Sequence, residues 1–211
     1  LELIGNNTLT QTHSSDEMIH VDGANLTVGG DGKLTGTSGS FALYADKDIT
    51  INGGTIAVTT YHASIISVFR NVIINGGDIV AESKNGAGID AYDVMINGGN
   101  VTAIGGYTAI NYDLFGSLTV AEDMEIRAST TVDGELGEFV AANYDSYKKI
   151  VIKPAASNIT VNCIGDIDYT VSGNVVTVDH DDACRVGYMN GESYVAITAT
   201  DNGDGTYSYT A

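Results

Sequence analysis

Proline and basic side chains are scarce in this chain, and tryptophan is missing. A single proline in 211 residues leaves nearly every backbone N–H free to donate, so hydrogen-bonded strands need not be interrupted. Only 9 Lys and Arg stand against 27 Asp and Glu, for a formal net charge of −18. Phosphate binding needs a basic patch, so the balance argues against nucleic acid as a partner and disfavours anionic membrane surfaces. No apolar run reaches transmembrane length, which argues against membrane insertion. Two cysteines, Cys163 and Cys184, make neither a disulfide scaffold nor a zinc pattern. They fall on candidate neighbouring strands, so one disulfide in an exported protein and two buried thiols are both open readings. The chain starts at Leu1 and not at Met, as a form trimmed of its leader would.

What the chain has in excess is glycine, 26 residues, together with a 43% hydrophobic content. Three glycine pairs sit inside copies of one phrase: Ile51-Asn52-Gly53-Gly54-Thr55-Ile56, Ile74-Asn75-Gly76-Gly77-Asp78-Ile79 and Ile96-Asn97-Gly98-Gly99-Asn100-Val101. The apolar residue before the turn recurs at Ile4, Val28, Ile51, Ile74, Ile96 and Val120, at intervals of 22 to 24 residues. A fixed period in the twenties is the mark of a solenoid, in which no repeat can bury its apolar face alone.

Within each period the alternation is strand-like. Ile49 and Ile51 flank Thr50, and Ile56 and Val58 flank Ala57; β-branched residues at period 2 read as short strands with one face inward. A third strand precedes each anchor: Ile19-His20-Val21, Leu43-Tyr44-Ala45, Ile66-Ser67-Val68, Ile89-Asp90-Ala91 and Ile110-Asn111-Tyr112. Three short strands and three turns per period predict an all-β chain, a right-handed parallel β-helix of about six coils over residues 1–153, the hand following from the general crossover rule. Ile150-Val151-Ile152 reads as a closing strand. Residues 154–211 read as a small antiparallel, sandwich-like β domain, with Ser172-Gly173-Asn174 and Asn202-Gly203-Asp204-Gly205 as hairpin turns.

The Asn-Gly-Gly turns suit sharp corners, where Asn and Gly tolerate positive φ. Coils stacked ~4.8 Å apart would bring Asn52, Asn75 and Asn97 into a hydrogen-bonded column, broken at Gly29 and Ala121, where capping coils are expected.

The triple phrase, with Gly86-Ala87-Gly88-Ile89-Asp90-Ala91-Tyr92-Asp93 leading into its third copy, resembles repeats of large surface-exposed or secreted proteins of Firmicutes. The segments Leu118–Thr130 and Val140–Ile152 resemble the way those β-helix modules close. The resemblance covers residues 1–153. It implies an extracellular or cell-surface, noncatalytic module that binds polysaccharide or host glycan, or acts as an adhesin. A more distant likeness is to calcium-dependent pectin-binding β-helices.

The third strands supply candidate ligand residues. Their outward positions, taken in pairs, are His20 and Asp22, Tyr44 and Asp46, Ser67 and Phe69, Asp90 and Tyr92, Asn111 and Asp113. Aromatic rings stack on sugar C–H faces, and carboxylates and Asn bond hydroxyls or calcium. The binding set is therefore Tyr44, Asp46, Phe69, Asp90, Tyr92, Asn111 and Asp113, with Asp90 and Asp113 as calcium ligands and Ser67 and Asn111 stacked on Asp90. The competing readings are a solvated strand face on a structural stalk, and a polysaccharide lyase or glycoside hydrolase relative. Against cleavage, no carboxylate trio surrounds Arg70, and no Gly-x-Ser-x-Gly elbow is present. Asp179-His180-Asp181-Asp182 is an acidic run between two candidate strands and reads as a solvated turn.

Overall fold

Every Asn-Gly-Gly phrase closes a corner between two short strands, and its second glycine makes the turn. Gly54, Gly77 and Gly99 have φ of 84°, 97° and 85°, while no asparagine takes positive φ among the described residues. The computed structural model describes the chain except residues 12, 14, 156–158, 164–168, 173–174, 179–183, 191–192, 198, 204–205 and 211. It divides into two compact units, Leu1–Lys153 and Pro154–Ala211.

The first unit winds coil by coil. The first coil holds β1 (Glu2–Leu3), β2 (Asn6–Thr10) and β3 (Ile19–Val21); the second holds β4 (Leu26–Gly30), β5 (Lys33–Ser38) and β6 (Leu43–Ala45). The third holds β7 (Ile49–Ile51), β8 (Thr55–Thr60) and β9 (Ile65–Ser67). The fourth holds β10 (Val72–Ile74), β11 (Asp78–Ser83) and β12 (Ala87–Ala91), and the fifth β13 (Val94–Ile96), β14 (Asn100–Gly105) and β15 (Thr108–Tyr112). Equivalent strands pair in parallel up the axis, giving three sheets, β1-β4-β7-β10-β13, β2-β5-β8-β11-β14 and β3-β6-β9-β12-β15. This is a parallel β-helix.

Side chains at period 2 form the core as columns. Ile51, Ile74 and Ile96 stack in the first sheet, Ile56, Ile79 and Val101 in the second, and Leu43, Ile65, Ile89 and Ile110 in the third. All are at most 1% exposed, and full burial of such a side chain stabilises by roughly 1.5–3 kcal/mol. The corner between the second and third sheets buries hydroxyls, and these are paired: Thr60 and Ser64 lie 2.9 Å apart, and Ser64 donates to the Glu82 carbonyl.

The helix has five complete coils, where the spacing suggests about six. The sixth starts with β16 (Leu118–Val120), which adds to β13 in parallel, and continues into β17 (Met124–Ser129) and β18 (Gly137–Glu138). After a 3-10 turn at Ala141–Ser146, β19 (Lys149–Pro154) inserts between β14 and β17. It runs antiparallel to β14, with Ile152 opposite Val101 and Ile150 opposite Ala103. Reversed polarity leaves the alternation intact, so Ile150 and Ile152 still point inward and close the end.

In the second unit, β20 (Ile159–Cys163), β21 (Tyr169–Ser172), β22 (Val175–Val178), β23 (Cys184–Asn190), β24 (Ser193–Ala196), β25 (Thr200–Asp201) and β26 (Tyr207–Thr210) form two antiparallel sheets. These are β20-β23-β24 and β21-β22-β26-β25. Val186 from the first sheet and Val176, Val178 and Tyr209 from the second share one core. Cys163 is opposite Cys184 in the β20–β23 register. The sulfur chemistry itself lies outside the described residues, as do Gly173, Asn174, Asp204, Gly205 and the run Asp179–Asp182. No described helix is long and apolar enough to cross a membrane.

Candidate functional site

Parallel register lines up the central outward residue of each third-sheet strand. The row runs His20, Tyr44, Ile66, Asp90, Asn111. One expected member is displaced. Ser67 does not face outward beside Asp90; it is 2% exposed, and its hydroxyl donates to the Lys47 carbonyl inside the corner. Asp90 is flanked by Ile66 and Asn111.

Two corners raise walls beside this floor. The corner after each third strand varies in length, from Tyr92-Asp93 in the fourth coil to Asp113–Ser117 in the fifth. It carries Phe69, Tyr92, Leu114 and Phe115, with Phe69 at 73%, Leu114 at 85% and Phe115 at 82% exposure. The corner before the third strand carries Phe41, Tyr61, His62 and Tyr107. Two hollows result, sharing Ile66, Asp90 and Asn111 as their floor. One, of about 290 Å³, is walled by Phe69, Tyr92 and Asp113. The other, of about 340 Å³, is walled by Phe41, His62 and Tyr107. Together they make a shallow groove along the third sheet, at the small end of the ~300–1,000 Å³ range of ligand pockets. Tilted ring pairs extend its aromatic lining, with centroids 4.4 Å apart for His20 and Tyr44, 5.6 Å for Phe41 and Tyr44, and 5.9 Å for Phe41 and His62.

The carboxylates around the groove divide by employment. Asp46 Oδ2 accepts the Gly23 N–H at 2.9 Å, Asp48 Oδ1 accepts the Asn71 N–H at 3.1 Å, and Asp93 Oδ1 accepts from Ser117 N–H and hydroxyl. These three tie the corners of adjacent coils. The Gly23 bond, followed by one from Asp22, holds the Asp46 carboxyl below the usual carboxylate range. Asp90 is different. It ties no corner, and it accepts one bond, from Asn111 Nδ2 at 2.9 Å. Burial pushes its carboxyl above the usual value, against the lowering effect of the Asn111 bond. The ion pairs among the described residues use Glu17 and Glu125 as acids, not Asp90.

Of the predicted binding residues, Phe69, Asp90, Tyr92, Asn111 and Asp113 come together around one hollow. Tyr44 lies further down the row and Asp46 in the corner after β6, and neither lines these two hollows. The Tyr44 hydroxyl is pushed up by burial and by the Asp46 charge. Among the described residues no group of three or more His, Cys, Asp or Glu is gathered as a metal site. The wall of Phe41, His62 and Tyr107 escapes a reading confined to strands, because all three lie in the turn ahead of the third strand. Its signal is a ring at that turn in the second, third and fifth coils, the fourth carrying Lys84-Asn85-Gly86 instead. On the first-sheet corner, Asn75 Nδ2 donates to Asn52 Oδ1 at 2.8 Å and Asn97 Nδ2 to Asn75 Oδ1 at 2.9 Å, a ladder separate from the groove.

No protein-family model, curated protein or solved structure matches this chain.

Proposed function

We propose that this chain is a noncatalytic glycan-binding module of a secreted or cell-surface protein, binding along the third-sheet groove. The observation that carries this reading is the pairing of aromatic walls, exposed Phe69, Tyr92 and Tyr107 and half-buried Phe41, with a polar floor at Asp90 and Asn111. Sugar rings present apolar C–H faces and a rim of hydroxyls. Rings that stand in solvent stack on the former, and a carboxylate with its neighbouring amide bonds the latter. The two hollows adjoin over the shared floor of Ile66, Asp90 and Asn111, which suits an extended oligosaccharide better than a single small molecule. Calcium, if it takes part, would bind at Asp90 and Asp113.

A glycan array run with and without chelator tests this. The reading expects saturable binding that Tyr92→Ala together with Phe69→Ala removes. Retention unchanged in that double variant would refute it and would favour a stalk that only spaces other domains.

A further inference from the structure

We infer that the groove selects a glycan carrying protonated amines, a glucosamine-type polysaccharide, over neutral or uronic acid chains. The inference rests on the glycan-binding reading and adds the charge of the ligand. Both hollows are lined by carboxylates and aromatic rings and by no Lys or Arg: Asp90 and Asp113 with Phe69 and Tyr92 in one, Asp90 with Phe41 and Tyr107 in the other. Asp90 is a half-buried carboxylate without a cation, and the fold makes no use of its charge, since Asp46, Asp48 and Asp93 already tie the corners. A carboxylate held without a counter-charge costs free energy that an arriving ammonium would recover. Tyrosine and phenylalanine rings within about 6 Å of an ammonium add cation–π attraction while the sugar faces stack.

Charge complementarity points the same way at longer range. Asp22 and Asp46 continue the acidic edge of this face, and the whole chain carries −18, a field that concentrates cations. A uronate chain would bring like charge onto Asp90 and Asp113. The cations nearby stand at the margins. Lys148 bonds the Tyr107 carbonyl and sits 5.7 Å from its ring centre, and Arg70 follows Phe69 on the exposed corner, outside both linings.

The test is calorimetric titration of the full chain with three oligosaccharides of equal length: glucosamine, N-acetylglucosamine, and galacturonate with and without calcium. Acetylation keeps the sugar backbone and removes the charge. The inference expects the glucosamine oligomer to bind at least about tenfold tighter than its acetylated form, a factor of ten being about 1.4 kcal/mol. It also expects that preference to shrink with added salt and in Asp90→Asn, with thermal melts confirming that the variant is folded. Equal or tighter binding of the acetylated oligomer, or preference for galacturonate with calcium, overturns the charge inference and leaves the glycan reading standing. No binding by any oligomer or by any sugar on the array overturns both.

Discussion

Asn111 Nδ2 donates to Asp90 Oδ1 at 2.9 Å across the β12–β15 pair, and this is the one hydrogen bond that the Asp90 side chain accepts among the described residues. The bond needs an acceptor oxygen, not a charge. Asp90→Asn retains that acceptor and removes a desolvated carboxylate. We expect the variant to be more stable at neutral pH, with Tm raised by about 2 °C, where 1 kcal/mol corresponds to roughly 2–4 °C at this size, and to bind glycan more weakly. A melt and a titration on the same preparation check both.

The pH dependence has a definite sign. Burial raises the Asp90 carboxyl above the usual Asp value in the folded chain, so the folded state holds its proton where the unfolded state, near about 3.9, has released it. The contribution of Asp90 is therefore most favourable below the unfolded value and declines as pH rises through the folded one. The Tm difference between Asp90→Asn and wild type should be small in acid and grow as pH rises past the ordinary Asp range. A difference that is flat with pH would contradict this.

The asparagine ladder predicts a graded response. Asn75 makes two ladder bonds, at 2.8 and 2.9 Å, whereas Asn52 and Asn97 each make one. All three are exposed, so each bond is worth at most about 0.5–1 kcal/mol. Asn75→Ala should cost about twice as much as Asn52→Ala or Asn97→Ala in urea denaturation.

The first and second glycine positions of the Asn-Gly-Gly phrase should differ sharply. Gly77 has φ of 97°, and a Cβ there would lie 2.5 Å from the Gly54 carbonyl oxygen. The first glycine of the preceding phrase, Gly53, has a nearest atom at 3.4 Å. Gly77→Ala is expected to destabilise by about 2–4 kcal/mol and Gly53→Ala by less than about 1, as read from paired denaturation curves.

The coil itself was legible because one turn phrase recurs with its flanking β-branched residues, and both core columns and corners follow from it. The third coil shows where period alone fails. Ile65-Ile66-Ser67-Val68 offers two inward registers, and spacing from Leu43 and Ile89 is more even for Ile66. The structure buries Ile65, because five residues separate the paired positions Ser83 and Ile89 where only four separate Thr60 and Ile65. That slip placed Ser67 outside when it is inside. The closing strand was legible as a strand and not as antiparallel, since Ile150 and Ile152 alternate identically in either direction. At the site, strand positions gave Asp90, Tyr92 and Asn111. The second wall lay in turns, where no alternation marks a face.

Where a ligand touches the coil decides between the groove and every other face. Backbone amide shifts recorded by NMR during titration with the glucosamine oligomer measure this. The account predicts perturbations concentrated at Ile66, Phe69, Asp90, Tyr92 and Asn111, with Asn52, Asn75 and Asn97 unmoved. Perturbations centred on the asparagine ladder or on the second unit, with the third-sheet face silent, would contradict it.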